Sequence, residues 1–289
     1  MHANILYNDR IHPAGEKTLT PGQIGLLSGW GIFTTLRIYD GIPFAFERHW
    51  KRLVRDAGLL HIELPADPDA VRSNLLRLIE ANNATQATMR VCIVRSQGGF
   101  WAGPGSGNAS DLIALTSDVQ GWEPPVALDV AEHGRHAAAP FAGTKSLSWA
   151  WNLTLAETAH DSGFAEVILL NERGEVAECT SANIFAAKDG VTYTPPLSSG
   201  TLPGVTRAVM LDKLDLPVKE KVLLVDDLIS ADEVFITSTT RELMQVNRIQ
   251  DREIAPSSRT DWPVMDRLQG ALTAYIRNYT EGARGRAAW

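Results

Sequence analysis

An alternation of strand-like and helix-like segments along 289 residues predicts a mixed α/β (α+β) protein in two domains. Three observations carry this expectation. At roughly 100–200 residues per domain, the length suits two domains. Short runs rich in β-branched and aromatic residues, bounded by turn residues, are interleaved with segments of helical period. A polar connection containing prolines, Ser117 to Val126, interrupts the pattern near the middle. The division expected is a smaller N-terminal α/β domain over 1–118, a linker over 119–127 and a larger C-terminal domain over 128–289.

The elements follow in order. Residues 3–7 and 32–39 are rich in strand formers, and Asp40-Gly41 is a hairpin signal before Ile42–Phe46. Glu47 to Leu60 reads as a helix with Trp50, Leu53, Val54 and Ala57 on one side, and Asp67–Ala81 as another. Met89–Val94 is a buried type of strand, with Asp111–Thr116 pairing nearby. Past the connection, Leu128–Glu132 reads as a strand and Ser148–His160 as a helix. Glu166–Leu170 and Glu175–Glu178 read as a hairpin turning at Asn171-Glu172-Arg173-Gly174. Asn183–Ala187 and Val191–Thr194 form a second strand pair. Thr206–Leu214 is a helix and Glu233–Ser238 a strand.

Composition bounds the function. Apolar residues make up 44% and charged residues 21%, so a globular core of ordinary size can form. The net charge of −7 disfavours nucleic acid as the main partner. Cys92 and Cys179 have no CxxC neighbour and imply no disulfide framework. The start Met1-His2-Ala3-Asn4-Ile5 lacks the pattern of a secretory signal, and no apolar stretch approaches the ~20 residues of a membrane helix. A cytoplasmic setting without membrane partners is expected. His133 and His136 have HxxH spacing but no third ligand nearby, so no metal site is expected.

Five constellations can carry chemistry. Lys145 follows a Pro/Gly/Ala-rich loop and precedes an apolar segment. A lysine at such a junction can have its amine desolvated, as Schiff-base chemistry requires, although the segment alone reads more readily as a solvated loop lysine. Glu178 sits among small residues before Asn183, and a buried carboxylate there needs a partner. Gly200-Thr201-Leu202-Pro203-Gly204-Val205-Thr206-Arg207 leads into a helix, whose free N–H groups suit a phosphate as well as an ordinary cap. His49 and Arg52 share one helix face, and the arginine suits a phosphate if it points inward. Thr237-Ser238-Thr239-Thr240-Arg241 clusters hydroxyls after a strand, either an oxyanion site or a Thr-rich turn. Gly98–Gly107 is Gly-rich without the GK[ST] ending of a nucleotide loop, and reads as a flexible surface or active-site loop.

The order of these pieces adds what none shows alone. Lys145, then Glu178-x-x-x-x-Asn183-x-Phe185, then Thr194-Pro195-Pro196, then Leu202 to Arg207, resembles the class IV aminotransferases. These are fold-type IV enzymes that use pyridoxal 5′-phosphate (PLP), among them branched-chain aminotransferases, D-amino acid aminotransferases, R-selective amine transaminases and aminodeoxychorismate lyases. The resemblance runs from about residue 24 to about residue 250. It implies a two-domain fold of the D-amino acid aminotransferase type, with the cofactor at the domain interface, and a homodimer whose partner loop closes the site. Lys145 matches the Schiff-base lysine and Glu178 the acid on the pyridine nitrogen. Arg52, in His-x-x-Arg-Leu, is similar to the arginine on the phosphate. Val205 and Thr206 match the phosphate cradle, and Thr239 and Thr240 a second hydroxyl pair near phosphate and substrate carboxylate. Arg95 is similar to an arginine beside the substrate carboxylate.

The chain departs from the pattern at several positions. Ala150, between Trp149 and Trp151, stands where many branched-chain enzymes have a tyrosine. Phe33-Thr34 stands where D-amino acid enzymes have Tyr–Glu, and the Gly31–Thr35 segment is closer to the lyase branch. Ser96 replaces a usual glycine. The resemblance implies a lysine that carries the cofactor and then moves a proton, and a glutamate that keeps the ring nitrogen protonated. The reaction expected is transfer of an amino group between an apolar, branched-chain-like amino acid and a 2-keto acid. Phe33, Trp30, Trp149 and Trp151 are the candidates for an apolar pocket. The alternatives are an aminodeoxychorismate lyase giving p-aminobenzoate and pyruvate, a D-amino acid or amine transaminase, and a non-catalytic phosphate binder. The last would need neither Lys145 nor Glu178.

Overall fold

The computed structural model describes residues 1–19, 22–98 and 107–287, with side chains described through Arg284. The interior of the glycine-rich Gly98–Gly107 segment lies outside the described residues. The chain divides into two units, the first comprising Met1–Gln120, Thr144–Trp149 and Asn278–Trp289, the second Gly121–Gly143 and Ala150–Arg277. The chain therefore passes between units four times, where the sequence pattern suggested one passage.

The first unit is built on β1 (Asn4–Tyr7), β2 (Arg10–Pro13), α1 (Ile24–Leu27), β3 (Gly31–Tyr39), β4 (Ile42–Pro43), α2 (Phe46–Leu60), α3 (Pro68–Ala81), β5 (Ala87–Arg95) and β6 (Ser110–Asp118). The strands form an antiparallel sheet in the order β2-β1-β6-β5-β3-β4. Side chains alternate across a strand, so Ile32, Leu36, Ile38, Met89, Val91 and Ile93 join one core cluster with Leu53, Ala57, Leu75 and Leu78 of α2 and α3. Asp40 and Gly41 both take positive φ, the conformation that a tight hairpin demands. Asp67 caps α3 by accepting the Asp69 N–H at 2.9 Å.

One expectation for α2 needs correcting: Val54 is half exposed rather than packed. The helix buries Phe46, Leu53 and Ala57 together with a polar row, His49, Arg52 and Asp56. That row shifts the buried face round the helix, away from Val54. Thr144–Trp149 returns to this unit as a short edge against β3. Phe33 N–H donates to Lys145 O and Leu147 N–H to Gly31 O, both at 2.9 Å, and Ile32 bridges Ser146.

The second unit contains β7 (Val126–Ala131), α4 (Ala150–Asp161), β8 (Glu166–Leu170), β9 (Val176–Cys179), β10 (Asn183–Lys188), β11 (Val191–Thr194), α5 (Val205–Asp212), β12 (Val218–Glu220), α6 (Val225–Ile229), β13 (Glu233–Ser238), β14 (Glu242–Ile249) and β15 (Arg252–Glu253). Its sheet runs β12-β11-β10-β13-β14-β7-β8-β9, with β15 on β14. The pairs β11–β12, β14–β7 and β7–β8 are parallel and the others antiparallel. Ile168, Ile184, Val234, Ile236, Met244 and Val246 build its core. A helix α7 (Pro263–Ala287) ends the fold. Among the described residues no helix is long and apolar enough to cross a membrane.

Candidate active site

In the first unit, the edge segment fixes Lys145 by both its backbone groups. Its carbonyl accepts from Phe33, and its N–H donates to Asp56 Oδ2 at 3.1 Å. The side chain reaches two aromatic rings, with Nζ 4.7 Å from the centroid of Phe33 and 5.6 Å from that of Trp149. The two rings meet edge to face at 5.6 Å. An ammonium against aromatic faces is attracted by their quadrupoles.

On the row of α2 beside it, the Thr34 hydroxyl accepts from Arg52 Nη2 at 2.7 Å and meets His49 Nδ1 at 2.6 Å. Burial holds the His49 pKa well below 6.5, and the positive charges of Arg52 and Lys145 push the same way. The imidazole is therefore neutral, and its buried Nε2 has no hydrogen-bond partner among the described residues. An orphan buried nitrogen is costly unless something completes it.

Of the four aromatic residues expected around the lysine, Phe33 and Trp149 meet it. Trp30 donates its indole N–H to Leu60 O at 2.8 Å and packs on the core of the first unit. Trp151 is 60% exposed on α4. Arg95 lies over the Trp30 ring at 3.9 Å and donates to Gln97 O and His61 O. Arg90, absent from the sequence candidates, stands over the Phe33 ring at 4.9 Å, because β5 places it opposite Thr35 on the open face of the sheet. Its only sequence signal is its alternation with Met89 and Val91.

In the second unit, Glu178 is 5% exposed at the end of β9. Its Oε1 accepts from Arg135 Nε at 3.1 Å and Nη2 at 2.9 Å, and its Oε2 from the Leu202 N–H at 3.0 Å. Three donors, two of them on a guanidinium, thus satisfy and orient the carboxylate. Arg135 is a second residue that sequence reasoning missed. It sits in a loop beside His133 and His136, and nothing local marks it as a partner of Glu178.

Asn183 donates to Thr201 Oγ1 at 3.1 Å and to Leu202 O at 3.0 Å, tying β10 to the loop before α5. A Cβ on Gly204 would lie 2.0 Å from Asn183 Oδ1, so only glycine fits. The first N–H groups of α5, at Val205 and Thr206, have no intrahelical acceptor by helix geometry. Arg207, buried, anchors this turn through Pro195 O at 2.7 Å and Glu220 at 2.5 Å. On the neighbouring strand, Thr237 Oγ1 is buried without a partner among the described residues. The Ser238 and Thr240 hydroxyls meet at 3.2 Å, with Thr239 between them. This turn is braced by Arg241, paired with buried Glu166 at 3.0 Å and lying over Trp122 at 4.1 Å.

These residues suit PLP on physical grounds. A helix N-terminus beside hydroxyls and a Cβ-free loop accepts a phosphate, a buried carboxylate suits a protonated ring nitrogen, and an amine beside aromatic rings suits an aldehyde.

The six-stranded antiparallel sheet and the nine-stranded mixed sheet are the two halves of the fold-type IV aminotransferases. Over 96% of this chain and 95% of the other, the fold superposes on the branched-chain amino acid aminotransferase of Escherichia coli with a TM-score of 0.86 at 25% identity. Residues 31–249 match the family Amino-transferase class IV; the chain belongs to that family and is an enzyme of the aminotransferase class. A D-alanine aminotransferase of Bacillus licheniformis is 30% identical over 283 residues, covering 96% of this chain and 98% of that protein. The fold also matches a hypothetical aminotransferase from Mycobacterium tuberculosis in its PLP-bound form, with a TM-score of 0.82 at 22% identity, over 95% of this chain and 99% of that one.

Proposed function

We propose that the protein is a PLP-dependent aminotransferase that moves an amino group between an apolar amino acid and a 2-keto acid. The observation that carries this reading is Lys145, whose amine lies against Phe33 and Trp149 while its backbone is held at both ends. When bound, PLP supplies the electron sink that stabilises charge on the substrate α-carbon. In this reading Lys145 holds the cofactor and then carries the proton between the substrate α-carbon and the cofactor. Glu178, oriented by Arg135 and Leu202, holds the proton on the ring nitrogen. Arg52, the N–H groups at Val205 and Thr206, and the hydroxyls of Thr206, Thr239 and Thr240 bind the phosphate, with Thr240 also reaching toward the substrate carboxylate. Phe33 and Trp149 favour an apolar side chain and exclude water. Arg90 and Arg95 offer cationic charge to a carboxylate, and Arg90 is favoured by its place over Phe33.

The lyase alternative needs a second group to protonate the leaving fragment. The test is a half-reaction. Reconstituted enzyme is mixed with leucine, valine or alanine of either hand without any keto acid. Loss of the visible band of lysine-bound cofactor and growth of the shorter-wavelength amine form is the expected result. No conversion with any amino acid, together with pyruvate release from aminodeoxychorismate, overturns it. A homodimer is part of the proposal, supported by the exposed Leu26 and Leu27 of α1, and sedimentation velocity reads it.

A further inference from the structure

Asp56 stands one turn beyond Arg52 on α2 and is completely buried. Its Oδ2 accepts the Lys145 N–H at 3.1 Å, and its Oδ1 accepts from Arg55 Nη1 at 3.2 Å, Arg55 being itself 40% exposed. A buried carboxylate is expensive, and a neutral acceptor would satisfy one backbone N–H more cheaply. A carboxyl group at this buried position therefore calls for a reason beyond one hydrogen bond. Lys145 is held through its carbonyl by β3 and through its N–H by α2, the helix that also carries Arg52. One carboxylate thus joins the backbone of the lysine to the element bearing the arginine.

We propose that Asp56 is a positioning residue for Lys145: its hydrogen bond sets the lysine against the helix of Arg52, and its negative charge favours the protonated form of the nitrogen that Lys145 carries. This rests on Lys145 being the cofactor-bearing lysine. The groups acting on Asp56 are Arg52 and Arg55 from its own helix and Lys145 from the edge segment, with His49 neutral on the preceding turn. Burial raises the Asp56 pKa, opposed first by the Lys145 N–H and then by the charges of Arg55, Arg52 and Lys145. Coulombic coupling is reciprocal, so a carboxylate stabilised by Lys145 stabilises the positive charge of Lys145 in return.

Two variants separate the bond from the charge. Asp56→Asn keeps an acceptor for the Lys145 N–H and removes the charge, whereas Asp56→Ala removes both. In PLP-reconstituted protein, the pH midpoint of the visible band falls in both variants, by about half a pH unit or more. In the apo-protein, hydrogen exchange of the segment containing the Lys145 amide speeds up at least ~10-fold in Asp56→Ala and stays slow in Asp56→Asn, because loss of its acceptor opens that amide. An unchanged midpoint in folded Asp56→Asn overturns the charge role and with it the proposal. Equal exchange in Asp56→Ala and wild type overturns it as well. If Asp56→Ala does not fold, the Asp56→Asn midpoint decides alone. Lys145→Ala is the control on the premise: a visible PLP band persisting in that variant sinks the assignment of the lysine itself, which the Asp56 variants do not touch.

Discussion

Glu178 and Lys145 are both fixed by hydrogen bonds to other segments, yet the chain assembles those bonds over very different spans. Glu178 takes its partners from Arg135 and Leu202, 43 and 24 residues away. The rest of that group, Asn183, Gly204 to Arg207 and Ser238 to Arg241, follows within one sheet and the turns that leave it. Lys145 instead depends on Asp56, 89 residues earlier, and on the still more distant Phe33 of β3. The second unit thus concentrates its chemistry in a nearly continuous block. The first obtains its lysine only because a short segment, Thr144–Trp149, returns to pair with β3. The block rests on one sheet, the long-range β10–β13 and β14–β7 pairs included, whereas the returning segment is placed by its pairing with β3 and its bond to Asp56.

Substitutions can break this contrast, and the largest effect belongs to the lysine. Lys145→Ala retains the backbone groups that Asp56 and Phe33 engage, so the expected outcome is loss of the visible PLP band and of turnover with an unchanged circular dichroism spectrum. Wild-type turnover in that variant refutes the mechanism. Glu178→Gln comes next. The ring-nitrogen proton matters most when charge develops, so kcat should fall by about 10²- to 10³-fold while PLP is retained. Steady-state kinetics alongside a PLP titration separate the two, and an unchanged kcat removes Glu178 from the site.

Arg52→Ala asks whether the first unit also supplies phosphate binding. Loss of one charge-assisted contact of roughly 1.5–3 kcal/mol weakens PLP about ten- to a hundredfold. Equal affinity in mutant and wild type would place Arg52 outside the phosphate site. The smallest effect concerns His49. Its folded pKa lies well below the unfolded value of 6.5, so the unfolded chain binds a proton that the folded chain does not. Stability is therefore full above pH 6.5 and declines as pH falls through it, by up to about 1.4 kcal/mol per pH unit. Urea midpoints between about pH 8 and pH 5 read this slope, and His49→Gln should flatten it. Parallel curves for the two proteins would remove His49 as its source.

Much of the fold was legible because patterns with a local cause survive folding. Asp40-Gly41 needs positive φ at both residues, and Asp67 caps the helix that begins after it. The Glu166–Leu170 and Glu175–Glu178 runs pair across the turn at Asn171 to Gly174. The pattern reading names no element beyond Ser238, yet β14 and α7 follow, the latter burying Met265, Leu268, Leu272 and Ile276 at helical spacing. Val54 was misplaced because a hydrophobic period cannot anticipate a helix that buries His49, Arg52 and Asp56.

What the sequence by itself supplied is a set of candidates, Lys145, Arg52 and the Glu178–Arg207 block, whose order along the chain resembles the family where no single motif does. Only the tertiary structure decided that Arg135 belongs to Glu178, that Arg90 lies over Phe33, and that Asp56 holds Lys145. The physical reason is that a charged side chain on a helix, strand or loop looks solvated until its distant partner is known. Burial and long-range pairing turn such a residue into part of a site, and neither leaves a mark in its neighbouring residues.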